Sequence, residues 1–155
     1  MVALLFLGKY IKRKYFENVY YFPYDEPIGS FRFFEIYNIL LERKHQLPFS
    51  FAMQSGVPDA SLLLLFMFYA PMLNMGVDWD KPGGEQGRFV FYNLGPLLIS
   101  YGLCEKVKSL NKIGETEVWA VQTSDTGKKF FAWAEKYRAF EDYVSAKSKK
   151  SKNHY

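Results

Sequence analysis

The side chains able to do chemistry fall into three groups. Lys9, Lys12, Arg13 and Lys14 lie among Tyr10, Tyr15 and Phe16, and cations interleaved with aromatic rings can follow a phosphate backbone while stacking bases. Lys108, Asn111 and Lys112 cluster around the polar run "NKIG", and Lys128 and Lys129 open a later helix. Together these residues are the candidates for nucleic-acid contact. Asp78, Asp80 and Glu85 border the glycine-rich run "PGGEQG". Oxygen ligands of that kind can hold a divalent cation, but three acids in a polar turn are expected simply to be solvated. The plainer expectation for the first basic run is likewise a strand or helix whose lysines face water.

Catalysis requires a nucleophile with a base, a carboxylate pair or a metal cluster. His45 is the one histidine outside the C-terminal run, and no ligand pattern flanks it, which argues against a metal. Cys104 is the single cysteine; nothing places it beside His45, and it is expected to pack as a small hydrophobe. Ser55 precedes Gly56 without the earlier glycine that a nucleophile elbow needs. "PGGEQG" lacks both the glycine spacing and the Lys-Ser/Thr of a phosphate-binding loop. The expectation is a protein that is not an enzyme and carries no cofactor and no metal.

These residues have to be positioned by one modest domain. The chain has 155 residues, 49% of them hydrophobic and 19% aromatic, enough for a packed core and too much for wholesale disorder. A lone cysteine permits no internal disulfide, which fits a cytoplasmic location. The net charge of +4 is misleading. Lys147, Lys149, Lys150 and Lys152 lie in an acid-free run from Ser145 to Tyr155, and without them the body is neutral, which weakens any general affinity for DNA. "VALLFL" near the start is short for a signal segment, and its positive charges follow rather than precede it. The longest apolar run, Leu62 to Leu73, contains Pro71 and falls well below the roughly 20 residues a bilayer span needs. No membrane span is expected.

Along the chain, residues 2–24 alternate loosely and are expected to be strand-rich. Ser30 is placed to cap a helix through "FRFFEIYNILLERK", whose Phe33, Tyr37, Leu40 and Leu41 fall at helical spacing. "RFVFY" reads as a strand, and Asn93 as the cap of a short helix near Pro96. Leu97 to Tyr101 close that helix and Gly102 stands at its C-cap position. "LCEKVKSL" and "TEVWAVQT" then alternate as two strands, with Val118, Ala120 and Gln122 on one face and Trp119, Val121 and Thr123 on the other. "TSDTG" offers N-cap oxygens for a last helix. In that helix Phe130, Trp133, Tyr137, Phe140 and Val144 recur at spacings of 3 and 4, a stripe for the chain's own core or for a paired terminal helix.

The run from "YGL" through the two strands to the "TSDTG" helix start resembles the closing half of a winged-helix domain. "FAMQSGVPDASL" resembles a helix-turn-helix in spacing, with a short helix, a turn at Ser55-Gly56-Val57 and a second helix from Pro58. That resemblance implies an α+β winged-helix-like domain, with an N-terminal strand-rich addition and a long C-terminal helix. It spans residues 1–144 as a single domain, followed by a basic tail at 145–155. It also implies association with double-stranded DNA, as a small regulator or as an accessory subunit of a DNA-acting complex. The second helix departs from the pattern: it offers Asp59, Ser61 and then only apolar residues through Phe68, where base readout needs Arg, Lys, Asn or Gln. The two strands and their turn carry Lys106, Lys108 and Lys112 against Glu105, Glu115 and Glu117, without the positive excess that phosphate contact favours.

The alternative is an interaction subunit without DNA contact, a homodimer or the companion of a larger protein. It would dock through Leu63 and Phe66 of the apolar helix and through Phe130, Trp133, Tyr137, Phe140 and Val144 of the terminal stripe. Burying each such side chain is worth roughly 1.5–3 kcal/mol, so a helix apolar on every side is expected to be covered all round.

Overall fold

The computed structural model describes residues 26–78, 84–110 and 116–152. The N-terminal basic run, Asn111 and Lys112 lie outside them, as does the side chain of Val144. Within them the chain is mixed α+β with a long C-terminal helix. Asp25–Phe131 forms one compact unit, and the chain from Ala132 belongs to a second.

A two-strand turn, β1 (Pro27–Ile28) and β2 (Phe31–Arg32), leads into α1 (Phe33–Glu42). The helix starts after Arg32 rather than at Ser30. The Glu35 carboxylate accepts from the Arg32 backbone N–H at 2.7 Å, satisfying a donor that the serine was expected to organise. Phe33, Ile36, Tyr37 and Leu40 form its buried stripe. β3 (Lys44–Gln46) and β4 (Asp59–Ser61) pair antiparallel and enclose α2 (Phe49–Ser55). Gly56 closes α2 in the left-handed conformation, φ 71°, its N–H reaching the Ala52 carbonyl.

The second helix of the expected helix-turn-helix does not begin at Pro58. Residues 59–61 are drawn into β4 by pairing with β3, and α3 (Leu62–Met75) starts after them, where the Ser61 hydroxyl accepts from the Leu64 N–H. β5 (Val77–Asp78) follows.

"RFVFY" is helical. Gly84–Phe89 is α4, Val90–Leu94 a π-helical turn, and Gly95–Ser100 is α5, continuous with it. Buried Val90, Leu94 and Leu98 recur every four residues, a helical stripe that outweighs the strand preference of the four aromatic and β-branched residues Phe89 to Tyr92. Asn93 lies inside this helix instead of capping it. The π-turn has a local cause. A proline ring collides with the carbonyl four residues back, and widening the turn ahead of Pro96 lets the Gly95 N–H reach the Val90 carbonyl, five residues back.

α5 ends in a full Schellman motif: Gly102, φ 72°, donates to the Ile99 carbonyl and Leu103 to the Leu98 carbonyl. β6 (Cys104–Leu110) and β7 (Glu117–Thr123) pair antiparallel, and β5 joins β7 on its other side, giving the order β5-β7-β6. The register sets Val118, Ala120 and Gln122 on one face and Trp119, Val121 and Thr123 on the other, as the alternation requires. Ala120 meets Gly76 at the end of α3, and Val121 meets Gly95 of the π-containing helix. A helix thus lies against each face of β7 near Ala120 and Val121, while the outer end of the hairpin, with Trp119, is open to water.

α6 (Asp125–Lys152) closes the fold and continues through residues expected to be tail. Ser124 ties its start to the preceding turn. Its hydroxyl donates to the Gly102 carbonyl at 2.7 Å and accepts from the Gly127 N–H at 2.9 Å. Phe130 is fully buried, edge-on to Phe33 at 5.4 Å and 5.9 Å from Phe66. In the second unit Trp133 and Ala134 are buried, and Trp133 stacks on Tyr137 with ring centroids 5.0 Å apart.

Candidate interaction surface

The sequence candidates separate into those spent on the fold and those on the surface. Leu63, Phe66, Phe130 and Trp133 are all buried, so these four interface candidates are occupied by the chain itself. Tyr137 and Phe140 are half-buried.

Each described nucleic-acid candidate has a carboxylate beside it. Lys108 pairs with Glu117 at 3.0 Å, Lys128 with Asp125 at 3.1 Å and Lys129 with Glu26 at 3.6 Å. Such exposed pairs are weak, but a phosphate would have to compete with each. Lys106 has no carboxylate partner among the described residues. It lies 5.6 Å from the ring centre of half-exposed Trp119, whose other cation neighbour is Lys108 at 5.8 Å.

Cys104 is buried at the start of β6. Burial, with the Glu105 carboxylate beside it, pushes its thiol up from 9.0 to about 12. The native fold therefore keeps the proton that the unfolded chain releases near pH 9. Stability from this group is whole below pH 9 and is lost as pH rises toward 12. Cys104→Ala is expected to flatten that alkaline decline by about 1.4 kcal/mol per pH unit between pH 9.5 and 11, read as the difference in urea unfolding between the two chains. Identical slopes would refute it. A thiol held neutral in this way is a poor nucleophile. Across the strands from it Thr123 is buried, and its hydroxyl has no hydrogen-bond partner among the described residues. Among the described residues no three metal-ligating side chains gather, and no helix is long and apolar enough to cross a membrane.

The unexpected feature is what α3 leaves outside. Leu62, Phe66, Tyr69 and Leu73 are buried, while Leu64, Phe68 and Met75 are exposed, Phe68 at 67% and Met75 at 88%. With Pro71 they form a ridge on a helix that carries no charged residue. Elsewhere α2, which buries none of its residues, leaves Phe49 and Met53 at 78% and 70% exposure. At the end of α3 the ridge runs into a groove of about 370 Å3, lined by Met72, Met75, Val107, Leu110 and Ala120 and, on its polar side, by Asp78, Ser109 and Gln122. Ridge and groove share Met75. The sequence shows both stripes of α3, since 62, 66, 69, 73 and 64, 68, 71, 75 have identical spacing; nothing in it says which one stays outside.

No protein-family model, no curated protein and no solved structure matches this chain.

Proposed function

We propose that this chain is a non-catalytic, winged-helix-like interaction module that pairs with a second copy of itself through the α3 ridge. The observation that carries this is the exposed apolar ridge beside a groove whose wall is largely apolar, with Asp78, Ser109 and Gln122 as its polar members. Leaving Phe68 and Met75 in water forgoes roughly 1.5–3 kcal/mol each, and contiguous exposed apolar surface marks an interaction site. Two properties favour a second copy as occupant. An isologous contact sets a surface against itself, so it needs a projection and a recess on one face, which Phe68 and the Met72–Ala120 groove supply. It also brings like charges together; α3 has none, and Asp78 is the one charged residue lining the groove. The winged-helix likeness is supported by a helix leading into the β6–β7 hairpin and by the order β5-β7-β6. It departs from that pattern where β4 interrupts the expected helix-turn-helix.

Pairing of folded chains makes thermal stability depend on concentration. Raising the chain from about 1 μM to about 100 μM is expected to raise Tm by several degrees, and Phe68→Glu to abolish the rise. Because Phe68 is exposed, the dilute variant should keep its stability within about 0.5 kcal/mol of wild type. A wild-type Tm independent of concentration contradicts the proposal.

A DNA-associated role rests on a different observation, the Lys106–Trp119–Lys108 cluster on the exposed face of the hairpin. If it touches phosphates, random duplex DNA binds with a steep salt dependence, and Lys106→Glu with Lys108→Glu lowers the slope by about two. Binding unchanged by the double substitution excludes this site.

A further inference from the structure

A second cavity, of about 420 Å3, opens between β3 with its following turn and the π-containing helix. Arg88, Tyr92, Asn93 and Gln46 surround it, and Pro48 and Phe89 supply apolar wall. The His45 ring lies 5.7 Å from that of Phe89. Glu85 also faces the cavity, but its carboxylate accepts the hydroxyl hydrogen of Ser50. Arg88, one turn further along, has no hydrogen-bond or ion-pair partner among the described residues.

The helix is shaped around this space. Tyr92 and Asn93 both belong to the π-turn. In an α-helix Asn93, five residues beyond Arg88, would point well away from it. A π-turn, bonded five residues apart, brings such positions toward one side, and π-turns recur at functional sites. The result is a guanidinium, an amide and a phenol lining one cavity, with an aromatic ring in its wall. Arg is suited to this, because its planar fork holds a carboxylate by two parallel hydrogen bonds. The volume lies within the range of about 300–1,000 Å3 typical of small-ligand pockets.

We propose that this cavity binds a small organic acid, its carboxylate held by Arg88 and Asn93 and its apolar or aromatic body lying over Pro48 and Phe89. The cavity shares no lining residue with the groove beside the α3 ridge, and its ligand can be tested without reference to self-association. The probe is benzoate, titrated calorimetrically into the full chain. Benzamide, inorganic phosphate and random duplex DNA are titrated in parallel. The expected result is saturable benzoate binding at one site per chain. It should weaken by at least about tenfold for Arg88→Gln and equally for uncharged benzamide. Arg88→Lys should recover part of the affinity, since it keeps the charge and loses the fork. Arg88 is exposed, and both variants should retain the wild-type unfolding temperature. Absence of saturable benzoate binding, or binding indifferent to Arg88→Gln, overturns the proposal. So does binding of phosphate or DNA through Arg88 in place of benzoate, which would make the anion inorganic or a nucleic-acid backbone.

Discussion

Replacing Gly127 by alanine is expected to cost on the order of 3 kcal/mol of folding stability. The sign is informative, because alanine in a helix interior ordinarily gains close to 1 kcal/mol over glycine. Here a Cβ would stand 1.9 Å from the Leu103 carbonyl oxygen and 2.8 Å from the Thr123 methyl. The oxygen is backbone, and the Ser124 N–H donates to it at 3.1 Å, so it has no freedom to retreat. The first turn of α6 would have to move off the hairpin, breaking the Ser124 links that join helix start, Gly102 and β6. Gly95→Ala should cost less, about 1–2 kcal/mol, since its Cβ would stand 2.9 Å from both a Val121 methyl and the Val90 carbonyl oxygen, a milder overlap than the 1.9 Å at Gly127. Urea unfolding of the two variants ranks them. A stabilised Gly127→Ala chain would show that α6 does not start against Leu103 in this way.

Phe130→Ala is expected to remove about 3–5 kcal/mol. Its ring is fully buried and is shared by α1 through Phe33 and by α3 through Phe66. Truncation therefore opens a cavity where three helices meet, and none of their backbones can collapse into it alone. A domain of this size has about 5–15 kcal/mol in all, so the variant should be marginal at 37 °C. A loss below about 1 kcal/mol, measured by the same unfolding, would mean the aromatic junction is not the centre of the core.

The junctions of this fold were the most legible part of it. Gly102 after Tyr101 and the run "TSDTG" predict a helix end and a helix start, and the Schellman motif and the Ser124 cap stand at those places. The alternation in "TEVWAVQT" predicts which residues share a face, because a strand has a period of two whatever surrounds it. Helix boundaries set by tertiary pairing were not legible. Residues 59–61 are locally suited to a helix start, yet pairing with Lys44–Gln46 keeps them extended. Val90, Phe91 and Tyr92 have strand preferences, and packing of Val90, Leu94 and Leu98 against the core overrides them.

The surface was least legible of all. Trp133 and Phe130 look like the best anchors for a partner because they are large and regularly spaced, and both are consumed internally. Leu64, Phe68 and Met75 look like core and are outside. Periodicity reports that a helix has apolar stripes; how many neighbours cover them is a property of the assembled fold. Arg88 reads as part of a strand and Asn93 as a helix cap, because their convergence on one cavity needs a π-turn that no spacing rule anticipates.

The apolar ridge of α3 is the proposed interface between copies of the chain. Sedimentation equilibrium of the full chain, over a range of concentrations, tests this directly. The expected result is a species of twice the 18.2 kDa chain mass that dissociates on dilution, with Phe68→Glu sedimenting as a folded single chain throughout. A wild-type chain of single mass at every concentration, or a Phe68→Glu chain that dimerises as well as wild type, would contradict it.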